Sequence, residues 1–218
     1  MLFMNAADTD VVTPRRRWPV LVGIGWAFAG AMAGVSAKIA DEFGSWWADA
    51  ATYPAVWVVP IAIAVRAARG PGQAALHASA FFIPMTVAYY AWAQLVLGFG
   101  YAREVAVWLV LAIVAVPLLA AGVRWARDRS DLLAGAATSL LAALALAGGS
   151  VQRVWLWAQG SLPAESARPV QAVLELAVAA AVVWWVPRSA RARIWAVIAA
   201  VPIAWVVVRM LPELAIGY

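Results

Sequence analysis

The feature that most constrains this chain is a series of apolar runs, each about long enough to cross a bilayer. The longest extends from Gln73 to Gly98. A helix rises ~1.5 Å per residue, so about 20 apolar residues span the ~30 Å hydrocarbon core. The chain is 66% hydrophobic and 12% charged, whereas soluble domains are about one-half apolar and one-quarter charged. The sequence therefore predicts an all-α, multi-pass membrane protein, since too little polar surface remains to cover a single soluble core.

Prolines, glycines and arginine clusters divide the apolar sequence into about seven predicted transmembrane helices. These spans are residues 18–37, 51–65, 73–98, 105–123, 132–150, 169–186 and 194–208. They form one transmembrane domain over residues 18–214, preceded by a cytoplasmic segment, residues 1–17. Several spans contain an internal proline, such as Pro60 and Pro84, which predicts kinks. The first span also resembles a secretory signal, but further spans follow, so we expect an uncleaved helix. Its Gly30 and Gly34 have the spacing that permits close helix approach.

The distribution of the basic residues predicts the orientation of the spans. With a cytoplasmic N-terminus and an external C-terminus, eleven of the sixteen basic residues fall on the cytoplasmic side, as the positive-inside rule requires. They are Arg15, Arg16, Arg17, Arg66, Arg69, Arg124, Arg127, Arg129, Arg188, Arg191 and Arg193. These clusters explain the net charge of +5, so nucleic-acid binding is not expected. The heavy use of Arg, Ala, Gly and Trp is typical of a GC-rich bacterial genome, and we expect the bacterial plasma (inner) membrane.

Polar residues inside the predicted spans indicate a candidate binding site. Glu175 lies roughly 10 Å into the sixth span, where an ionised carboxylate facing lipid would cost several kcal/mol. Two interpretations stay open for Glu175: a group that handles a proton or cation, and a carboxylate that locks helix packing. Tyr90 and Gln94 share a helix face and, with Tyr89, fall in the same leaflet as Glu175. Together they predict an outer-leaflet polar pocket for a small polar solute or a cation. Tyr89 alone is also typical of the interfacial aromatic belt.

Three charged residues follow the first span. Lys38, Asp41 and Glu42 are spaced i, i+3 and i+4, so they share one face and can pair if the helix continues. One interpretation is a gate or entrance to the predicted pocket. The alternative is a solvated helix end.

Enzyme motifs are absent from the sequence. There is no cysteine and only one histidine, and no P-loop, G-x-S-x-G or H-E-x-x-H pattern occurs. We therefore predict no catalytic residues, no metal and no cofactor, and an enzyme is disfavoured. The lipid bilayer is the expected partner, and the sequence leaves an oligomer or a partner subunit open.

A loose order of motifs runs through the first half of the chain. It comprises Lys38 to Asp41, Trp57 with an apolar run to Arg66, Ala74-Ala75, Phe81-Phe82, Met85 and Tyr89-Tyr90. This order, with Glu175 in a late span, resembles uncharacterised small bacterial multi-pass membrane families over about half of the chain. The resemblance implies a bacterial inner-membrane protein and no particular activity.

The leading functional hypothesis is a small-solute or ion permease, or the substrate-binding membrane subunit of one. Glu175 would handle charge, while Tyr90 and Gln94 would orient the ligand. The alternative is a non-catalytic membrane scaffold or assembly partner, in which Glu175 and the arginine loops serve packing and topology. A lipid- or isoprenoid-modifying enzyme is the third hypothesis.

Overall fold

The computed structural model describes residues 18–43, 54–100 and 102–214, and within these ranges the chain forms helices and no strand. The helices are α1 Trp18–Glu42, α2 Pro54–Ala67, α3 Pro71–Leu95, α4 Ala102–Val110, α5 Val116–Arg127, α6 Asp131–Ala145, α7 Ser150–Ala158, α8 Pro169–Trp185 and α9 Ala190–Leu214. A π-helical turn, Leu111–Ala115, joins α4 to α5, and a short 3₁₀ turn, Ala164–Ser166, precedes α8. The all-helical prediction is confirmed for the described residues.

Four helical segments are long and apolar enough to cross a membrane: Val20–Glu42, Pro71–Leu95, Arg103–Arg127 and Ala164–Trp185. A fifth results if α6 and α7, which are bent by 66° at the break between them, form one span. Helix α2 is apolar but has only 14 residues. Predicted span 105–123 runs over α4, the π turn and α5, and residues 51–53 of the second predicted span lie outside the described residues. The count of seven spans, their orientation and the kinks stay predictions.

Helix starts and ends follow local sequence signals. Pro71 begins α3. A backbone N–H at this position would have no hydrogen-bond partner within the helix, so proline is tolerated there. The Ser130 side chain accepts a hydrogen bond from the Leu133 N–H at 3.3 Å and so caps α6. Arg124 and Arg127 lie in the last turn of α5, where a cation interacts favourably with the helix dipole. These signals place the helix boundaries beside the arginine clusters.

Glycines allow a close helix contact between α1 and α3. A Cβ atom at Gly30 would lie 2.0 Å from the Phe81 carbonyl oxygen, and one at Gly34 would lie 2.1 Å from the Met85 carbonyl oxygen. Only glycine allows two helix backbones to approach this closely. Because both residue numbers rise together along the contact, α1 and α3 run parallel. The close approach expected from the glycine spacing is present.

The helices divide the polar groups between two ends of the bundle. We call the end that holds Arg66, Arg124, Arg127 and Arg188 the arginine end; here α2, α5 and α8 finish and α3, α6 and α9 begin. At the opposite end, the far end, α1 and α3 finish and α2, α4 and α8 begin. Between them, α2 packs against α3, α5, α6 and α8, and small buried residues such as Ala55, Ala62 and Ala64 form the core.

Candidate functional site

A cavity of about 480 Å³ lies between α2, α3 and the path from α4 to α5, on the side of the far end. Its walls are formed by Pro54, Trp57, Val58, Ile61, Phe82, Met85, Thr86, Tyr89, Tyr90, Trp108, Leu111, Ala112, Ala115, Val116, Leu119 and Leu144. The volume falls within the ~300–1,000 Å³ of typical small-molecule sites. This cavity is the candidate functional site.

Aromatic side chains dominate the chemistry of the cavity wall. Five aromatic residues, Trp57, Phe82, Tyr89, Tyr90 and Trp108, line it, and none of the described lining residues carries a charge. Thr86 and the two tyrosines add hydroxyl groups, which are the few polar handles that a mostly apolar site needs to orient a ligand. The wall therefore suits a largely apolar molecule with one polar or cationic group.

One wall of the cavity is built by the π-helical turn Leu111–Ala115, which contributes Leu111, Ala112 and Ala115. Such turns interrupt the regular hydrogen-bond ladder and are frequent at functional sites. Trp108 and Leu111 are 47% and 37% exposed. This wall of the cavity therefore lies at the side surface of the bundle, where a lipid bilayer would lie.

A cluster of charges lies beside the cavity at the far end. Helix α1 continues to Glu42, five residues past the predicted end of the first span at residue 37, and this continuation places the three charged residues on one face. The Lys38 Nζ atom is 2.9 Å from Glu42 Oε1 and 3.7 Å from Asp41 Oδ2. Lys38 is only 6% exposed. The pairing that the sequence spacing allows is therefore formed.

Tyr89 connects this far-end cluster to the cavity. Its hydroxyl donates a hydrogen bond to Asp41 Oδ2, and its ring lies 5.6 Å from Lys38 Nζ and 5.0 Å from the Tyr90 ring. Because Tyr89 and Tyr90 both line the cavity, the predicted entrance residues Lys38, Asp41 and Glu42 lie one side chain away from it. A gating role for these residues stays a prediction.

The other two predicted pocket residues lie elsewhere. Gln94 is exposed in the last turn of α3, and it does not line the cavity. Glu175 is fully buried, and its Oε1 atom accepts a hydrogen bond from the Ser150 N–H at 3.2 Å, at the first residue of α7. A carboxylate is favourable at a helix N-terminus, whereas Glu175 Oε2 is buried without a hydrogen-bond partner among the described residues, so both interpretations of Glu175 stay open. The structure thus brings Tyr89 and Tyr90 together and leaves Gln94 and Glu175 outside the cavity.

Several cavity residues carry no sequence signal for a binding role. Trp57 and Trp108 are tryptophans within apolar runs, and Thr86 also sits in an apolar run. The π turn has no sequence signal of its own, apart from Pro117, which follows it within the first turn of α5 and cannot donate a backbone hydrogen bond. Which residues meet at this cavity depends on how α2, α3 and α4 pack.

Acidic and histidine residues do not gather at the cavity. Within the part of the chain that the structure describes, no group of three or more His, Asp or Glu residues could hold a metal ion. The single histidine, His77, stacks on Trp26 with a centroid distance of 5.3 Å, on the half of the bundle nearer the arginine end. The chemistry of the site therefore comes from its aromatic rings and hydroxyl groups.

Comparison with known proteins places the chain in a family. No curated protein and no solved structure matches it. Residues 13–215 match the family described as "Family of unknown function (DUF6518)". The match covers nearly the whole chain and confirms the expected likeness to an uncharacterised family. The chain belongs to the DUF6518 family of unknown function.

Proposed function

We propose that this chain is a membrane permease, or the substrate-binding membrane subunit of one, and that it acts in the bacterial plasma membrane. Its ligand is a small molecule with a largely apolar body and one polar or cationic group. The observation that carries the proposal is the aromatic cavity of about 480 Å³ between α2, α3 and the π turn. A cavity of this size and composition is the most common form of a small-molecule site.

The cavity wall supports the choice of ligand. Its apolar surface favours a hydrophobic body, and its five aromatic rings attract a cation through their electron-rich faces. The hydroxyl groups of Thr86, Tyr89 and Tyr90 provide hydrogen bonds for one polar group. The proposal therefore moves from the small polar solute or cation expected from the sequence to an amphipathic molecule.

Two features support movement of the ligand through the site rather than permanent binding. Trp108 is 47% exposed, so its wall is the route of access from the bilayer in this proposal, and the Tyr89–Asp41 hydrogen bond is the closure toward the far-end cluster. If that bond breaks, the Tyr89 ring can turn and connect the cavity to the far end. Lys38, Asp41 and Glu42 then act as the gate.

Cysteine accessibility tests whether solvent reaches the cavity, because the chain has no natural cysteine. Thr86 lines the cavity and is 4% exposed, whereas its neighbour Val87 is 51% exposed on the outer surface of α3. In intact cells, we expect a membrane-impermeant maleimide to label Gly100→Cys at the far-end loop at once, and to label Thr86→Cys more slowly, each time the far-end gate opens. Lipid should protect Val87→Cys. If Gly100→Cys reacts and Thr86→Cys does not, the cavity is dry, and the scaffold alternative replaces the permease.

A cavity-filling substitution tests ligand binding directly. Ala112 is buried in the cavity wall, whereas Ala106 lies on the exposed surface of α4. Tetraphenylphosphonium, a lipophilic cation, serves as the probe, with quenching of tryptophan fluorescence and uptake into proteoliposomes as readouts. Ala112→Leu should weaken binding by roughly tenfold and reduce uptake, while Ala106→Leu should change neither. Equal behaviour of the two variants would contradict the proposal.

A further inference from the structure

The arginine end contains a buried cation that lacks a hydrogen bond. Arg127 closes α5 and is 8% exposed. Its Nε atom has no hydrogen-bond partner among the described residues. A buried guanidinium group normally pairs with a carboxylate or with carbonyl oxygens, because removing its charge from water is costly. Arg127 therefore has donor capacity that the described part of the chain does not use.

The charges around Arg127 are mostly of the same sign. Arg66 at the end of α2, Arg124 in α5 and Arg188 between α8 and α9 all repel it electrostatically, and Asp128 is the one negative group that acts on it within the described ranges. Among these groups there are four guanidinium groups and one carboxylate, so their net charge is positive.

Asp128 is already engaged by two of these arginines. It pairs with Arg124 Nη1, and its Oδ1 atom lies 2.5 Å from Arg188 Nη1. Arg124 also donates from Nε to the Ala68 carbonyl at 2.9 Å and from Nη2 to the Arg69 carbonyl at 2.8 Å. Arg124 therefore fixes the end of α2 to the end of α5. Its hydrogen-bonding groups are committed to structure, whereas Arg127 Nε is not.

We propose that the arginine end holds a site for a phosphate-type anion, with Arg127 as the buried ligand and Arg66 and Arg188 at the rim. A planar guanidinium fork matches the oxygens of a phosphate, and basic pockets between transmembrane helices bind phosphate headgroups. Arg66 and Arg188 are exposed, so they can reach an anion that approaches from outside. Arg66 also lies 5.8 Å above the ring of the half-exposed Trp185. That contact places the rim at a surface where a bilayer and water would meet.

The anion has two sources, a lipid headgroup and free phosphate, and two measurements separate them. The purified full chain is studied in phosphatidylcholine nanodiscs with and without phosphatidylglycerol, and in detergent with inorganic phosphate against sodium chloride at equal ionic strength. The readout is the midpoint of thermal unfolding. A rise with phosphatidylglycerol but not with inorganic phosphate assigns the site to a headgroup. A rise that also occurs with inorganic phosphate, in the absence of lipid, assigns it to free phosphate.

Matched variants link the rise to Arg127. Arg127→Gln should weaken the apparent anion affinity on the order of tenfold or more. Arg129→Gln removes the same charge two residues away, from an exposed side chain stacked on Trp125 at 5.1 Å, and should keep the rise. Arg66→Gln, at an exposed rim position, gives a second test if Arg127→Gln does not fold. No rise in the unsubstituted chain, or an equal rise in the Arg127→Gln and Arg129→Gln variants, would overturn the proposal.

Discussion

Lys38 and Arg127 are buried cations at opposite ends of the same bundle, 6% and 8% exposed, and their surroundings differ. Lys38 has two carboxylates within 4 Å, at 2.9 and 3.7 Å, and its Nζ atom lies 5.6 and 5.7 Å from the rings of Tyr89 and Phe99. Among the residues that the structure describes, three arginines and a single carboxylate, Asp128, act electrostatically on Arg127. Since a buried charge needs compensation, the chain supplies it at the far end, and we infer that a bound anion supplies it at the arginine end.

Residue spacing explains the difference. Asp41 and Glu42 follow Lys38 by three and four positions, which places all three on one helix face. Asp128 follows Arg127 directly, and side chains at adjacent helix positions do not face each other. Asp128 instead meets Arg124, four residues earlier, and Arg188 from a different segment of the chain. The nearest carboxylate in sequence is therefore directed away from Arg127.

Lys38→Met should have the largest effect on stability. It leaves Asp41 without its cation in a position that is 14% exposed, and removing one partner of a buried pair costs about 3–5 kcal/mol. Because Glu42 is 45% exposed, we expect the lower part of that range. Denaturant unfolding in detergent measures it. Adding Asp41→Asn to Lys38→Met should recover part of the lost stability. If Lys38→Met alone lowers the free energy of unfolding by less than about 0.5 kcal/mol, the pair is not buried.

Gly34→Ala should separate α1 from α3 near the far-end cluster and leave the arginine end unchanged. The new Cβ atom would lie 2.1 Å from the Met85 carbonyl oxygen, and such overpacking costs typically 1–3 kcal/mol. Gly25→Ala is the control, because a Cβ there meets no atom within 4 Å, and alanine is worth up to about 1 kcal/mol over glycine in a helix. The two substitutions should shift unfolding in opposite directions. Two shifts of the same sign would contradict the close approach.

Much of the far end can be predicted from sequence, because its determinants are local. Helical spacing fixes which face carries Lys38, Asp41 and Glu42, and the Gly30–Gly34 spacing indicates a close helix contact without indicating which helix is the partner. Hydropathy locates the apolar segments, because the length and composition of a segment decide whether it can cross a bilayer. The Tyr89–Asp41 bond, which joins residues 48 positions apart, needs the packing of α1 on α3 and has no local signal.

The remaining features depend on the relative placement of distant helices. The break between α6 and α7, where Gly149 has a φ of 72°, brings the start of α7 onto Glu175, 25 residues later. The cavity forms only where α2, α3 and the π turn come together. Arg124 likewise donates hydrogen bonds to the carbonyls of Ala68 and Arg69, which are 56 and 55 positions away in the sequence. Periodicity along one helix carries no information on which other helix lies opposite. For that reason Gln94 and Glu175 could be identified as intramembrane polar residues but not placed relative to Tyr90.

Tyr89→Phe should have a smaller effect than the substitutions of Lys38 and Gly34. It removes the hydroxyl that donates to Asp41 and keeps the ring, so the expected loss is about 1 kcal/mol. A double-mutant cycle with Asp41→Asn isolates the bond, because contacting residues give non-additive losses. Additive losses would indicate that the two side chains do not interact. Coupling together with altered uptake of the lipophilic cation would support a gate at the far end.

Arg127→Met should cause the smallest loss of stability of the four substitutions, which completes the comparison with Lys38→Met. In detergent free of phosphate and anionic lipid, the substitution removes a repelled and incompletely hydrogen-bonded charge. Replacing buried ions by apolar side chains of similar volume is often neutral or stabilising by about 1–4 kcal/mol, so the free energy of unfolding should stay the same or rise. With phosphatidylglycerol present, the same substitution should become destabilising relative to the unsubstituted chain. A loss in anion-free detergent as large as that of Lys38→Met would mean that the chain itself compensates Arg127, and the difference between the two ends would disappear.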